Sequence, residues 1–338
     1  ECFMKFSDCL RSNTLKSICL AFIFFVFSSG TAFAADTIKI GWLTSDGEKD
    51  PYAITAREFS AALEELAPGS FKVSFFPNRQ LGDDKELVEG LSFGTVDAAV
   101  ITNAVIANVQ PSFQLNDMPF LYSDESQAHR VLDGPVGQKL MQQLSANNIV
   151  GLGFAEGGFR HMINNTRPVY EPSDVLRVKY RVMQNQVFIQ MFSSLGGNAI
   201  PMAWGETFTA MQQGAIDGLE IPLAVIYSNK YYEVAKYLSL TKHTYSALGV
   251  LFSKRTFDKL TANQQETIRK AAKLAIDRQR AKTAKNSKDI VDILKSEGME
   301  VNDINNPKDF RILVTDVYEE FKPKIGAEIF EQALAEVQ

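Results

Sequence analysis

The segment TIKIGWLTSDGEKDPYAITAREFSAALEELAPGSFKVSFF, residues 37–76, indicates the structural class of the chain. It begins and ends with short runs rich in β-branched and aromatic residues, a composition typical of strands. Between these runs, Ile54, Phe59 and Leu63 recur at roughly helical spacing. The segment therefore predicts a strand, a helix and a second strand in succession.

The same alternation continues along the chain and predicts an α/β fold. Strand-like and helical runs follow one another, which is typical of mainly parallel sheets that are covered by helices on both faces. The further predicted strands lie at 97–101, 148–155, 159–165, 175–185, 199–202, 215–221 and 247–253, and the further helices at about 83–93, 187–195 and 205–213.

Residues 261–297 stand apart because they contain neither glycine nor proline. Thr261 and Gln264 have the spacing of a capping box, and Gly298 follows as a stop signal. At ~1.5 Å per residue, a helix of this extent would be on the order of 50 Å long. It is either an ordinary surface helix or a brace across two lobes, and it either bends or divides into two helices.

The N-terminal segment 1–34 is expected to be a signal peptide. It has early cations, a short apolar core at 18–27 and the small-x-small sequence Ala-Phe-Ala at 32–34. The cysteines of the chain all lie within it: Cys2, Cys9 and Cys19. We therefore expect a periplasmic protein without thiols or disulfides, whose stability depends on its core.

Length and charge narrow the possible architectures and partners. The chain after the predicted signal is long for a single core, so two lobes are predicted. The formal net charge is −5, and a mildly acidic surface argues against nucleic acid as a partner.

Motifs for enzyme chemistry are scarce in this sequence. It contains no HExxH, no GxxxxGK[ST] and no GxGxxG motif, so neither a metal site nor a cofactor is predicted. One GxSxG sequence, Gly90–Gly94, has Ser92 at its centre. A nucleophile elbow lies between a strand and a following helix, whereas this sequence ends a helix and precedes a strand. We predict a helix C-terminus with Gly94 as its left-handed stop, and keep a Ser92-dependent hydrolase as the alternative.

Four segments carry a resemblance to a known family: FFPNRQLGDDKELVEGLSFGTVDAAV (75–100), DMPFLY (117–122), GFRHMINNTRPV (158–169) and YRVMQNQVFIQMFSSLGGNAIPMAWGETFTAMQQGAIDGLEIP (180–222). Together they resemble the solute-binding receptors of tripartite ATP-independent periplasmic (TRAP) transporters, from about residue 37 to the C-terminus. The resemblance implies a bilobed binding protein, not an enzyme, whose lobes close at a hinge cleft on a small organic acid.

The resemblance also implies a domain organisation and partners. The first lobe is expected at 35–157 plus 247–286, and the second at 158–246 plus 287–338. A monomer is expected to deliver its ligand to the membrane permease subunits of the transporter. An exported ligand-sensing protein that docks on a membrane receptor is the alternative.

The stretch VLRVKYRVMQN, 175–185, contains the principal candidate for ligand binding. From strand alternation alone, its cations Arg177, Lys179 and Arg181 fit a solvated face. The resemblance assigns the ligand carboxylate to Arg181, and leaves the other two as solvated residues. A guanidinium suits this role because it offers two parallel N–H donors and stays charged.

Other candidate positions follow from the resemblance. Arg160 matches a second arginine that binds the acid in some members, with an ion pair as the alternative. Trp204 matches an aromatic position beside the ligand, with core packing as the alternative. The remaining candidates lie at strand ends or in loops, where capping or turn roles compete: Gln184, Asp84, Thr102 and Asn103.

The sequence departs from the family pattern at Glu220-Ile221-Pro222, where many sugar-acid receptors have Glu-Asn-Pro. Ile221 cannot form a side-chain hydrogen bond, so it either packs against an apolar part of the ligand or leaves the polar contact to another residue. Glu220 is expected to accept hydrogen bonds from ligand hydroxyls, to coordinate a cation or to be structural. A hydroxylated acid or a dicarboxylate is the expected ligand.

Overall fold

Two long antiparallel strands organise the structure, a computed structural model that describes residues 36–337. The predicted signal peptide, 1–34, and all three cysteines lie outside the described residues. Within the described part, nine strands form one hydrogen-bonded sheet in the order β2-β1-β3-β8-β4-β7-β5-β6, with β9 paired to β8. The strands are β1 (Asp36–Gly41), β2 (Phe71–Phe76), β3 (Ala98–Thr102), β4 (Ile149–Asn164), β5 (Lys179–Val182), β6 (Asn198–Pro201), β7 (Gly218–Pro222), β8 (Tyr237–Ser253) and β9 (Glu300–Asp303).

Strands β4 and β8 pass through both halves of this sheet. The start of β4 and the end of β8 join β3, β1 and β2 in what we call the first half. The remaining parts of β4 and β8 join β7, β5, β6 and β9 in the second half. The two predicted sheets are therefore connected, and five of the eight strand pairings are parallel.

Irregular pairing marks the passage between the halves. The register of β4 against β8 shifts at Gly151/Gly153, Glu156/Gly158 and Arg160/Met162. Gly153 and Gly158 have φ values of 145° and 92°, which glycine adopts without steric cost. Because bulges bend a strand and increase its twist, these shifts allow one ribbon to serve two differently oriented halves.

The helices cover both faces of the sheet, and alternate residues of the buried strand β3 enter two separate cores.

Several short helices between 103 and 147 and after 306 were not identified from the sequence. The helices are α1 (Pro51–Leu66), α2 (Asp84–Phe93), α3 (Asn103–Ile106), α4 (Glu125–Asp133), α5 (Pro135–Gln143), α6 (Gln186–Ser194), α7 (Trp204–Gln212), α8 (Leu223–Ser228), α9 (Lys254–Phe257), α10 (Ala262–Ser296), α11 (Pro307–Leu313), α12 (Thr315–Ile325) and α13 (Ala327–Glu336).

The helix α10 is one continuous helix of 35 residues, with the predicted capping box at Thr261 and Gln264. It packs along α1 and β4, and also contacts α8 and β9 of the second half. Among the described residues, no helix combines the length and apolarity that a bilayer-spanning segment needs.

The GxSxG sequence lies at the end of α2, as predicted. Gly94 adopts the left-handed conformation with φ 80°, and its N–H donates to the carbonyls of Gly90 and Leu91. The hydroxyl of Ser92 donates to the carbonyl of Asn147 at 2.7 Å. The serine therefore has a structural hydrogen bond at a helix C-terminus.

Gln279 of α10 fixes the bend of β4 at Glu156. Its amide accepts from the Glu156 N–H at 3.0 Å and donates to the Glu156 carbonyl at 2.6 Å, and both residues are buried. At Glu156, β4 pairs only with β8 among the described strands. The Gln279 side chain therefore supplies the hydrogen bonds that a second neighbouring strand would provide.

We predict that Gln279→Leu lowers the free energy of unfolding by about 2 kcal/mol or more, because two buried backbone groups lose their partner. Urea denaturation followed by circular dichroism measures the change. Lys285→Leu is the control, since Lys285 is exposed on the same helix and its replacement should cost less than about 0.5 kcal/mol. Equal losses in the two variants would contradict the role of Gln279.

Candidate functional site

A small cavity of about 20 Å³, the central cavity, lies where the two halves of the sheet meet. It brings together six of the nine predicted site residues: Arg181, Arg160, Trp204, Ile221, Asp84 and Thr102. Residues that sequence reasoning did not identify complete its wall: Leu43, Thr44, Tyr52, Met183, Pro222 and Val225.

A larger cleft of about 440 Å³, the outer cleft, adjoins the central cavity. The two share Asp84, Arg181, Met183 and Trp204. Gln184, a predicted site residue, lines the outer cleft only.

Arg181 lies on β5 and is almost completely buried. Its Nε and Nη2 both donate to the carbonyl oxygen of Met202, at 3.0 and 2.7 Å. Among residues 36–337, no carboxylate forms an ion pair with it. Burial lowers the pKa of the guanidinium, and nearby Arg160 acts in the same direction. The result is an oriented cation in a low-dielectric wall.

The segment before Arg181 differs from the prediction. The strand covers 179–182, not 175–185, because Pro172–Val175 form a 3₁₀ turn and Arg177 has φ 64°. Arg177 is exposed, whereas Lys179 is half-buried and pairs with Asp217 at 3.4 Å.

Arg160, on β4, both lines the central cavity and forms a buried ion pair with Glu220 of β7. Its Nε contacts the Glu220 carboxylate, and its Nη2 donates to Oε1 at 2.9 Å and to the carbonyl oxygen at 2.6 Å. Burial acts to raise the pKa of Glu220, but Arg160 and a hydrogen bond from His243 hold it below the usual value. Glu220 faces these partners and does not line the central cavity.

Asp84 approaches the cavity from the first half, as the first residue of α2. It is buried, and its Oδ1 has no hydrogen-bond partner among the described residues. Burial raises the pKa of this carboxyl well above its usual value, the neighbouring Asp83 adds to the shift, and Arg181 opposes it. Thr102 reaches the same cavity from the end of β3.

Asn103 does not line either space. Its amide nitrogen donates to the Phe113 carbonyl at 2.8 Å and to Asp117 Oδ1 at 2.9 Å. Asp117 Oδ2 in turn accepts from Asn185 at 3.0 Å, and Asn185 also donates to the Ala104 carbonyl at 2.8 Å. This buried network connects α3, which follows β3 directly, with the N-terminus of α6.

Hydrogen bonds between the halves also surround the central cavity. Asp83 caps α2, and its Oδ2 accepts from the N–H of Gly205 in the first turn of α7 at 3.1 Å. Asn108 donates to the Gln184 carbonyl at 2.9 Å, and the Ser45 N–H donates to Asn229 Oδ1 at 3.0 Å.

This architecture agrees with a known family over most of the chain. Residues 44–324 match the family described as "Bacterial extracellular solute-binding protein, family 7". The chain belongs to this family. Its members are solute-binding receptors, not enzymes, which excludes the hydrolase alternative for Ser92.

Individual relatives extend this similarity to the sequence and structure of nearly the whole chain. The 2,3-diketo-L-gulonate-binding periplasmic protein of Escherichia coli is 34% identical over 273 residues, which cover 81% of this chain and 83% of that protein. The sugar acid binding protein of Advenella mimigardefordensis, solved with galactonate, has a TM-score of 0.87 and 34% identity, with 90% of this chain and 98% of that chain covered.

A third relative is a solute-binding protein of a TRAP transporter. The TRAP periplasmic solute binding protein of Polaromonas sp. JS666, solved with D-erythronate, has a TM-score of 0.86 and 34% identity, with 89% of this chain and 98% of that chain covered. The prediction of a bilobed TRAP receptor fold is confirmed by these matches.

We predict that Asp83→Ala shifts the receptor toward a more open arrangement, because a carboxylate at the N-termini of two helices from opposite halves is lost. A lost hydrogen bond of typical strength should change the open-to-closed ratio by about two- to tenfold. Single-molecule energy transfer between dyes on Lys72→Cys and Glu171→Cys, both exposed positions in opposite halves, measures the ratio.

Asp124→Ala provides the matched control for this experiment. Asp124 caps α4 by accepting a hydrogen bond from the N–H of Gln127 at 2.8 Å. Its replacement therefore removes a helix cap but leaves the contacts between the halves unchanged. Both variants should lose about 1 kcal/mol of stability, but only Asp83→Ala should change the energy-transfer distribution. Identical distributions in the two variants would contradict the role of Asp83.

Proposed function

We propose that this receptor binds a small organic acid between its two lobes, with Arg181 as the partner of the ligand carboxylate. The observation that carries the proposal is the buried guanidinium of Arg181, which faces the central cavity and has no carboxylate partner among the described residues. A buried charge is stable only when it is paired and hydrogen-bonded, so an anionic ligand complements this group.

The other cavity residues divide into two roles in this proposal. Arg160, held by Glu220, orients the ligand through hydrogen bonds, while Trp204 packs against its carbon chain. Asp84 and Thr102 bind the polar groups of the ligand from the opposite half, and Gln184 lies at the entrance. Asn103 and Glu220 act through their hydrogen-bonded neighbours.

The lobe boundaries proposed are those expected from the sequence: 35–157 plus 247–286, and 158–246 plus 287–338. The register shift at Glu156/Gly158 supports a hinge there, because Gly158 pairs with Ser246 beside both boundaries. Closure around the acid would then rotate the lobes about these two strands and α10.

We further propose that a signal peptide at 1–34 directs export to the periplasm, where the monomeric receptor delivers the acid to TRAP permease subunits. Membership of an extracellular solute-binding family supports this location. Uptake of a radiolabelled acid into proteoliposomes that contain the permease should require the receptor. Uptake at the same rate without the receptor would contradict this role.

We predict that Arg181→Ala weakens binding of hydroxy acids such as D-erythronate by about 100-fold or more, since a desolvated charge pair contributes several kcal/mol. Arg181→Lys should also weaken binding strongly, because an ammonium cannot donate two parallel N–H groups to a carboxylate. Isothermal titration calorimetry measures both affinities after a thermal-shift screen has identified acids that bind the wild type.

Arg177→Ala is the control, since Arg177 is an exposed arginine four residues before Arg181. Its affinity should equal that of the wild type, and circular dichroism should show that all three variants are folded. Wild-type affinity in Arg181→Ala would disprove the assignment of the carboxylate site.

A further inference from the structure

We infer that the receptor selects a monocarboxylic acid that carries one hydroxyl close to the carboxylate and an alkyl group beyond it. This inference rests on the proposed function and specifies its ligand class. Three features of the cavity lead to it: the balance of charge, one unpartnered buried oxygen and an apolar wall.

The balance of charge favours one carboxylate. Two arginines reach the central cavity, but the charge of Arg160 is compensated by the bidentate, fully buried Glu220. Among the described residues that line the cavity, Arg181 is therefore the only arginine without a carboxylate partner. A second ligand carboxylate would lose its water on binding and would find no unpaired cation in the cavity wall to compensate its charge.

The outer cleft does not supply such a cation either. Among the described residues that line the outer cleft, Lys85 is the only lysine. It is largely exposed, and its Nζ lies 4.0 Å from Oε1 of Glu89. Asp83, Asp84 and Glu86 share the same cleft. A dicarboxylate that extended from Arg181 into this cleft would meet acidic groups.

The unpartnered oxygen specifies a hydroxyl. Asp84 Oδ1 is buried at the cavity without a hydrogen-bond partner among the described residues, and such groups are costly unless satisfied. A hydroxyl on the ligand can donate to this oxygen. Because Asp84 and Arg181 line the same cavity from opposite halves, a carboxylate and an adjacent hydroxyl can contact both residues at once.

The apolar part of the remaining wall specifies an alkyl group, although the lining also includes the hydroxyl-bearing residues Thr44, Tyr52 and Thr102. Ile221, Val225 and Leu43 are 2%, 4% and 4% exposed and line the same cavity, together with Met183 and Pro222. A ligand hydroxyl against this wall would lose its water without gaining a partner, whereas a methyl group would be favourably buried. Against these apolar side chains, a short branched hydroxy acid is therefore favoured over a long polyhydroxylated one.

A set of matched probes tests each feature separately by calorimetry. The reference is 2-hydroxy-3-methylbutanoate. Compared with it, 3-methylbutanoate lacks the hydroxyl, malate replaces the alkyl end by a second carboxylate, and D-erythronate replaces the alkyl carbons by hydroxylated ones. We expect the reference acid to bind the wild type about tenfold or more tightly than each of the other three.

Three variants connect these differences to residues. Asp84→Ala should remove the preference for 2-hydroxy-3-methylbutanoate over 3-methylbutanoate. Ile221→Asn should improve D-erythronate relative to the reference acid, and Val225→Thr tests the same wall if the asparagine variant does not fold. A preference for the hydroxy acid that survives in Asp84→Ala would overturn the role of Asp84.

The outcomes separate this inference from the proposed function. If malate or D-erythronate binds the wild type as tightly as the reference acid, and Arg181→Ala abolishes that binding, the receptor function stands and the inferred ligand class is wrong. If Arg181→Ala binds every acid as well as the wild type does, the proposed function fails. If none of the four acids binds the wild type but another acid does so through Arg181, the receptor function stands and the inferred ligand class is wrong.

Discussion

The buried ion pair between Arg160 and Glu220 is the interaction on which the rest of the site depends. It joins β4 to β7 at the place where the β4–β8 ribbon passes between the halves of the sheet, and His243 of β8 contacts the same carboxylate. Charges so deeply buried are tolerated only when each has a partner. The pair therefore fixes three strands and compensates one of the two arginines at the cavity.

The second buried polar network has a related role on the other side of the cavity. Asp117 accepts hydrogen bonds from Asn103 in the first half and from Asn185 beside α6. Each amide has further partners, so the network is largely satisfied and defines the relative positions of these segments. It gives a physical reason for Asp117 of the segment DMPFLY and for Asn103, which the family resemblance predicts as a ligand-binding residue.

Most strands and helices near the site could be predicted from the sequence, because each is a short segment with a clear hydrophobic periodicity. It identified 247–253 but missed the first part of β8, where buried Thr241, His243 and Ser246 interrupt the apolar pattern. His243 and Ser246 are buried because they meet Glu220 and Arg160 of other strands, and Thr241 bonds to His243; periodicity does not reveal these contacts. Arg181 was identified through the family resemblance, whereas strand alternation alone also fitted a solvated face.

The positions missed at the cavity follow the same logic. Leu43 and Thr44 come directly after β1, and ligand contacts gather at the carboxyl ends of strands in α/β folds, so a topological argument could have found them. Tyr52 and Val225 look like ordinary helix residues in sequence, and only the meeting of the two halves brings them to one wall.

Arg181 and Asp84 together suggest why closure should depend on ligand. Two N–H groups of Arg181 are held by the Met202 carbonyl, and the rest of the guanidinium requires an anion when it is removed from water. Asp84 Oδ1, on the opposite half, requires a donor under the same condition. In the proposed binding mode, bringing the halves together without a ligand would bury both unsatisfied groups, whereas a hydroxy acid would satisfy them at once. The proposed ligand would therefore bind the closed arrangement more tightly than the open one, which is the thermodynamic requirement for ligand-driven closure.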